Sequence, residues 1–167
     1  TYAAILSRAR NNLGLVGDWG LNEGVGTQAG DSSGQGNTGT ITGATWADGK
    51  RGKALSFTGT NYASVNNTAN LKFGTGNFTV GAWIKTSDNG AENEVVDANR
   101  CGFAESWILG TNGTKAQFAT FGTGSTGGYF LSNTTVVDGS WHHILATRSG
   151  TTLTIYVDGV SENTAAV

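Results

Sequence analysis

Between Phe78 and Lys85 the chain alternates without a break, with Phe78, Val80, Ala82 and Ile84 on one side and Thr79, Gly81, Trp83 and Lys85 on the other. A period of two suits a pleated strand with one face in a core, and it excludes a helix over that stretch. The same period returns in Leu153, Ile155 and Val157 against Thr154 and Tyr156, and in Leu55 and Phe57 against Ser56 and Thr58. Trp141 to Arg148 reads as a further strand, and the connector from Arg148 to Thr152 turns it into Leu153 to Val157 as a hairpin. Weaker strands are expected around Glu94 to Asp97, Ser106 to Leu109, Ala116 to Phe121 and Gly128 to Leu131. Strands this short and frequent, punctuated by Gly, Asn and Asp, imply an all-β antiparallel sandwich. Phe57, Val80, Ile84, Leu153 and Ile155 are expected to face its interior.

The N-terminal end departs from this pattern. Tyr2, Leu6, Ala9 and Leu13 recur at helical spacing and Gly14 follows as a stop signal, so residues 1–13 read as a short helix or linker, helical over Tyr2 to Asn11. Arg8 and Arg10 near its end would complement the helix dipole. Residues 14–167 form the sandwich, opening with a strand from Leu15 to Trp19. A long polar loop, Gly24 to Gly43, comes next, and Thr60-Asn61 is expected to fold Lys53 to Thr58 back onto Tyr62 to Val65 as a hairpin.

The 167 residues suffice for one domain that buries roughly 70% of its unfolded surface, so a core needs neither disulfides nor metal. The single cysteine, Cys101, has no internal partner and reads as a core residue or an intermolecular link. Charged residues make up 13% of the chain and the net charge is −2, which gives nucleic acid no basic footprint to bind. No apolar run approaches the roughly 20 residues that span a bilayer, and no leader precedes the sandwich, so a mature or trimmed soluble chain is expected. Sequons begin at Asn66, Asn77, Asn112 and Asn133, and a chain rich in Asn and Thr produces them readily.

An ordered series of segments resembles the laminin-G-like, concanavalin A-like jelly rolls. It runs through Leu15-Val16-Gly17-Asp18-Trp19, Asn22-Glu23-Gly24, Asp31-Ser32-Ser33-Gly34 and Asn37-Thr38-Gly39-Thr40. It continues through Gly52 to Phe57, Phe78 to Lys85, Trp141-His142-His143-Ile144 and Tyr156-Val157-Asp158-Gly159. The resemblance implies a concanavalin A-like jelly roll and an extracellular or cell-surface module that binds glycans, surface proteins or matrix. Calcium accompanies some members of that family.

The residues offer several candidate sites. Asp31 to Asn37 supplies hard oxygen ligands for Ca2+, with Asp31 as the carboxylate, Asn37 as partner, and Glu23 or Asp158 within possible reach of the fold. Asp-Ser-Ser-Gly is equally good turn chemistry, in which Asp31 caps its own backbone. Aromatic rings are the natural platforms for sugars. Trp46, Tyr62, Trp107 and Tyr129, with Phe130, sit near strand ends and are the candidate ligand-binding residues, whereas Trp19, Trp83 and Trp141 lie in strands and read as packing.

Catalysis has little to stand on. Sandwich glycosidases place paired carboxylates about 5 Å apart in one cleft, and the one spaced acidic pair, Glu92 and Glu94, lies in a turn-rich stretch without aromatic neighbours. His142 and His143 are adjacent and would point to opposite faces of a strand, which argues against a shared metal. A non-enzymatic binding or adhesion module is therefore expected, with the head of a pilin-like surface filament as the alternative.

Such jelly rolls usually continue beyond the Tyr-Val-Asp-Gly hairpin. Gly159 to Val167 is too short and polar for a turn and a long buried strand, which would leave Leu15 to Trp19 with an unpaired edge. That edge predicts either a homo-oligomer or filament assembled by sheet completion, or a chain that is a fragment of a longer protein and lacks its closing strands.

Overall fold

The computed structural model describes residues 14–66, 69–98, 106–121 and 129–167. The expected helix over Tyr2 to Asn11 and the single cysteine, Cys101, lie outside them. The chain divides into two compact units, Thr1–Leu71 and Lys72–Val167.

The first unit is built from very short strands. β1 (Gln28–Ala29), β2 (Gly39–Thr42) and β5 (Tyr62–Val65) form an antiparallel sheet in the order β1-β2-β5, while β3 (Thr45–Asp48) and β4 (Lys53–Ser56) pair as a separate hairpin. Ala29 and Ile41 are its buried apolar side chains. Strand β4 therefore pairs with β3, and β5 with β2, instead of forming the hairpin expected across Thr60-Asn61. Phe57 is a correction as well: β4 stops at Ser56, alternation no longer constrains the next residue, and Phe57 is 50% exposed. A 3-10 turn, Ala69–Leu71, closes the unit.

In the second unit, β6 (Phe78–Lys85), β11 (Trp141–Ser149), β12 (Thr152–Val157) and β13 (Val160–Ala166) make a four-stranded antiparallel sheet in the order β13-β12-β11-β6. The other sheet has the order β10-β9-β8-β7, from β7 (Asn93–Ala98), β8 (Ser106–Asn112), β9 (Lys115–Phe121) and β10 (Phe130–Thr135). Side chains of both sheets meet in one core, in which Ile84, Ile144, Leu153 and Ile155 from one sheet join Leu109, Phe118 and Phe130 from the other. Val80 packs against that core from its margin. Phe118 lies edge-on to Phe130 and to Phe78, the arrangement that ring quadrupoles favour. Gly110 is obligatory for steric reasons, since a Cβ there would meet the Asn93 carbonyl oxygen at 2.2 Å.

Two expectations about the ends of the sandwich are overturned. Leu15 to Trp19 is not a strand; its only ladder contact is an isolated bridge between Trp19 and Asp31. Val160–Ala166, by contrast, is a strand, paired with β12 through Thr152↔Ala166 to Val157↔Val160. Asp158 and Gly159, at φ 51° and 83°, supply the left-handed pair that a two-residue hairpin needs. The final segment thus supplies a turn and a mostly exposed strand, and the predicted unpaired edge at Leu15 to Trp19 has no strand to rest on.

Candidate functional site

The loop carrying Asp31 is organised by that carboxylate. Its Oδ1 accepts from the backbone N–H of Asp18 (3.0 Å) and Ser33 (2.8 Å), and its Oδ2 from the Ser33 hydroxyl and the Asn37 N–H, both at 2.8 Å. Burial draws the Asp31 pKa upward, but the donors from Ser33, Asn37 and Asp18 outweigh it and hold the group below the usual carboxylate range. Asn37 is buried, gives its side-chain N–H to the Val16 carbonyl, and accepts from the Trp19 indole on its own carbonyl. A carboxylate has about four acceptor positions. All of Asp31's are directed at protein donors, which is the turn chemistry expected of Asp-Ser-Ser-Gly. Glu23 Oε1 accepts from Gly30 N–H at 2.8 Å.

The aromatic candidates separate. In the first unit Trp46, half-buried on β3, gives its indole N–H to the Gly26 carbonyl at 2.9 Å, and Tyr62 on β5 is 53% exposed. Trp107 must be corrected from rim to core: it is 6% exposed and its ring lies against Phe73 and Phe78, so neither face is available to a ligand. Tyr129, 37% exposed, meets Phe121 edge-on just before β10, and Phe130 is buried. Of these residues Tyr62 and Tyr129 present ring surface to solvent.

A more extended surface lies on the outward face of the β13-β12-β11-β6 sheet, where Trp83, read from sequence as packing, is 46% exposed. Because Phe78, Ile84, Ile144, Ala146, Leu153 and Ile155 fill the core, the alternate residues must face outward. Register arranges them in rows. Trp83 sits opposite His143, with ring centroids 5.2 Å apart, and Lys85 sits opposite Trp141. The next row is Gly81, Leu145, Tyr156 and Ser161, and beyond it Thr79, Thr147, Thr154 and Thr164 line up one per strand. A Cβ at Gly81 would meet the Ile144 carbonyl oxygen at 3.2 Å and His143 Nε2 at 3.4 Å, so the missing side chain leaves room for the His143 ring. Within these rows the ionisable side chains are Lys85, His143 and Tyr156.

The corner beside this face is held by His142, whose ring is mostly buried between two carboxylates. Nδ1 is 2.8 Å from Asp158 Oδ2, and Nε2 is 3.3 Å from Asp138 Oδ1. Burial pulls the His142 pKa down, yet the two aspartates outweigh it and the value lies above that of an ordinary histidine. Asp158 is lowered first by the His143 N–H at 2.8 Å and then by His142, against some burial. Asp138 is lowered mainly by the Ser140 N–H. The two histidines do point apart: His142 braces the corner and His143 lies with Trp83 on the outer face.

On the opposite sheet, Gln117 of β9 is 1% exposed and neither atom of its amide has a hydrogen-bond partner. Glu92, at φ 59°, lies in the turn before β7, and Glu94 is exposed on β7. Among the described residues no group of three or more His, Cys, Asp or Glu could hold a metal ion, and no helix is long and apolar enough to cross a membrane.

Comparison with known proteins supplies the remaining findings. Residues 57–167 match the sequence pattern of the concanavalin A-like lectin/glucanases superfamily. No curated protein sequence matches the chain. Among solved structures, the binding domain of Paraclostridial Mosquitocidal Protein 1 superposes with a TM-score of 0.75 at 16% identity, over 90% of this chain and 40% of that one. Domain 4 of AbnA, a GH43 extracellular arabinanase from Geobacillus stearothermophilus solved with arabinotriose, gives 0.61 at 18% identity, over 81% and 68%. An S-layer domain-containing protein from Clostridium thermocellum gives 0.53 at 21%, over 89% and 71%. The chain spans 40% of the length of the mosquitocidal binding domain. At these identities the likenesses establish a shared fold.

Proposed function

The chain belongs to the concanavalin A-like lectin/glucanases superfamily, and on that premise we propose that it is a non-catalytic carbohydrate-binding module that works outside the cell or at its surface. The observation that carries this reading is Trp83, 46% exposed on an outward sheet face, with His143 against its ring and Trp141 in the neighbouring row. An aromatic ring flanked by polar groups is the chemistry that holds a sugar, because the ring takes the apolar C–H face while neighbouring groups bond the hydroxyls. A binding domain, domain 4 of an extracellular arabinanase and an S-layer domain-containing protein share the fold, which supports an extracellular binding role.

A glycan array probed with the intact chain tests the reading, with arabino-oligosaccharides included because the arabinanase domain was solved with one. Trp83→Ala is expected to weaken the best binder by about 2 kcal/mol, roughly thirtyfold, as the loss of a central aromatic contact does. Absence of binding at millimolar glycan, or full affinity in a folded Trp83→Ala variant, refutes it.

A further inference from the structure

We infer that the ligand of this face is an extended, uncharged polysaccharide chain lying across the strands, and not a single terminal sugar held in a pocket. The inference rests on the reading of the molecule as a carbohydrate-binding module and specifies what that surface selects.

Register sets four threonines in one line across the sheet. Thr79, Thr147, Thr154 and Thr164 come from four different strands, and each is the direct cross-strand partner of the next. Neighbouring strands lie about 4.8 Å apart, so the row presents a hydroxyl at each such step and extends about 14 Å from end to end. Threonine hydroxyls both donate and accept, which matches the hydroxyls of a sugar without fixing their direction. One monosaccharide could engage only a fraction of such a row. A polymer running across the strands meets the same chemistry at every step.

The neighbouring rows point the same way. Tyr156 and Ser161 continue the polar surface beside the threonines, and Trp83 and Trp141 add ring surface farther along the same face. Lys85 and the imidazole of His143 lie in the rows at one end, while the threonine row and the row of Gly81, Leu145, Tyr156 and Ser161 carry neither a carboxylate nor a cation. An anionic polymer would find no counter-charge along most of its length, and burying its charges there would be unfavourable. A neutral polymer meets no such barrier.

Calorimetric titration of the intact chain with arabino-, xylo- and cello-oligosaccharides, from the monosaccharide to the hexasaccharide, and with polygalacturonate tests the inference. For at least one neutral series, affinity should climb about tenfold or more from monosaccharide to tetrasaccharide as successive contacts form. Polygalacturonate should bind more weakly than that series. The double variant Thr147→Val, Thr154→Val keeps the β-branched shape that strands favour, so it should fold and lose most of the climb. Trp83→Ala should weaken every length, because a chain that starts on the Trp83 ring and runs obliquely across the strands to the threonine row, about 13 Å away along β6, keeps that ring as its first contact.

Equal affinity for short and long oligomers, an unaltered climb in the folded double variant, or preference for polygalacturonate each overturns the inference while leaving carbohydrate binding intact. Failure of every oligomer and polymer to bind overturns the broader reading as well.

Discussion

Asp31 shows how much of a loop one carboxylate can organise. A calcium loop and an Asx-type turn draw on the same Asp, Ser, Asn and Gly residues, and the sequence alone leaves both open. The structure shows the bonds of the turn, since Asp18, Ser33 and Asn37 all donate to Asp31. Asp31→Ala should therefore cost about 2–3 kcal/mol through the loss of charge-assisted hydrogen bonds. The loss should be equal in calcium and in chelator. Denaturant unfolding of both proteins under the two conditions checks this; a wild-type midpoint that rises with calcium, and does so only while Asp31 is present, would restore the metal.

At the level of strands, legibility followed burial. Phe78 to Lys85 was readable because one face is core and the other solvent, so alternation survives in the sequence, and that alternation already grouped Trp83 with Thr79, Gly81 and Lys85. What the sequence did not carry was the register that places His143 beside Trp83 and threonines in line. Strand β8 is buried at Ser106 through Thr111, on both of its faces, so no alternation marks Trp107 as core. Strands β2 and β3 each hold a single large apolar residue, Ile41 and Trp46, too little for a period to show. Strand β13 was missed although Asp158-Gly159 is a strong hairpin signal, because its own residues are polar.

That polarity has a purpose at the edge of the sheet. Glu162 Oε2 accepts from the N–H groups of Asn133 and Thr134, its Oε1 accepts from the Thr134 hydroxyl, and its carbonyl accepts from the Asn133 amide. These bonds tie β13 of one sheet to β10 of the other. The Thr134 hydroxyl is the main influence lowering the Glu162 pKa, with the backbone donors and Lys115 assisting against slight burial. Glu162→Ala should cost about 1–3 kcal/mol and raise amide exchange in β10 and β13 ahead of β11 and β12. Uniform exchange across all four strands in the variant would mean that Glu162 does not hold this seam.

For the molecule as a whole, these same charged groups set the pH range of stability. Asp31, Asp138, Asp158 and Glu162 all titrate below their ordinary values in the folded state. Such groups contribute stability that is present above their unfolded pKa, about 4, and lost as the pH falls through the folded value. His142 has the opposite sign. Its pKa is raised between Asp138 and Asp158, so its contribution is full below the unfolded value of about 6.5 and disappears as the pH rises through the folded one. Acid therefore loosens the Asp31 loop, the β10–β13 seam and the His142 corner, whereas mild alkali loosens the corner alone. The melting temperature should form a plateau between about pH 4 and pH 6.5, drop steeply on the acid side and decline gently toward pH 8. His142→Gln should lower the plateau and abolish the gentle decline while leaving the acid limb in place, because the carboxylates at Asp31 and Glu162 do not depend on it. A wild-type curve that stays level or rises between pH 6 and pH 8, or a variant that keeps the decline, would remove His142 as its source.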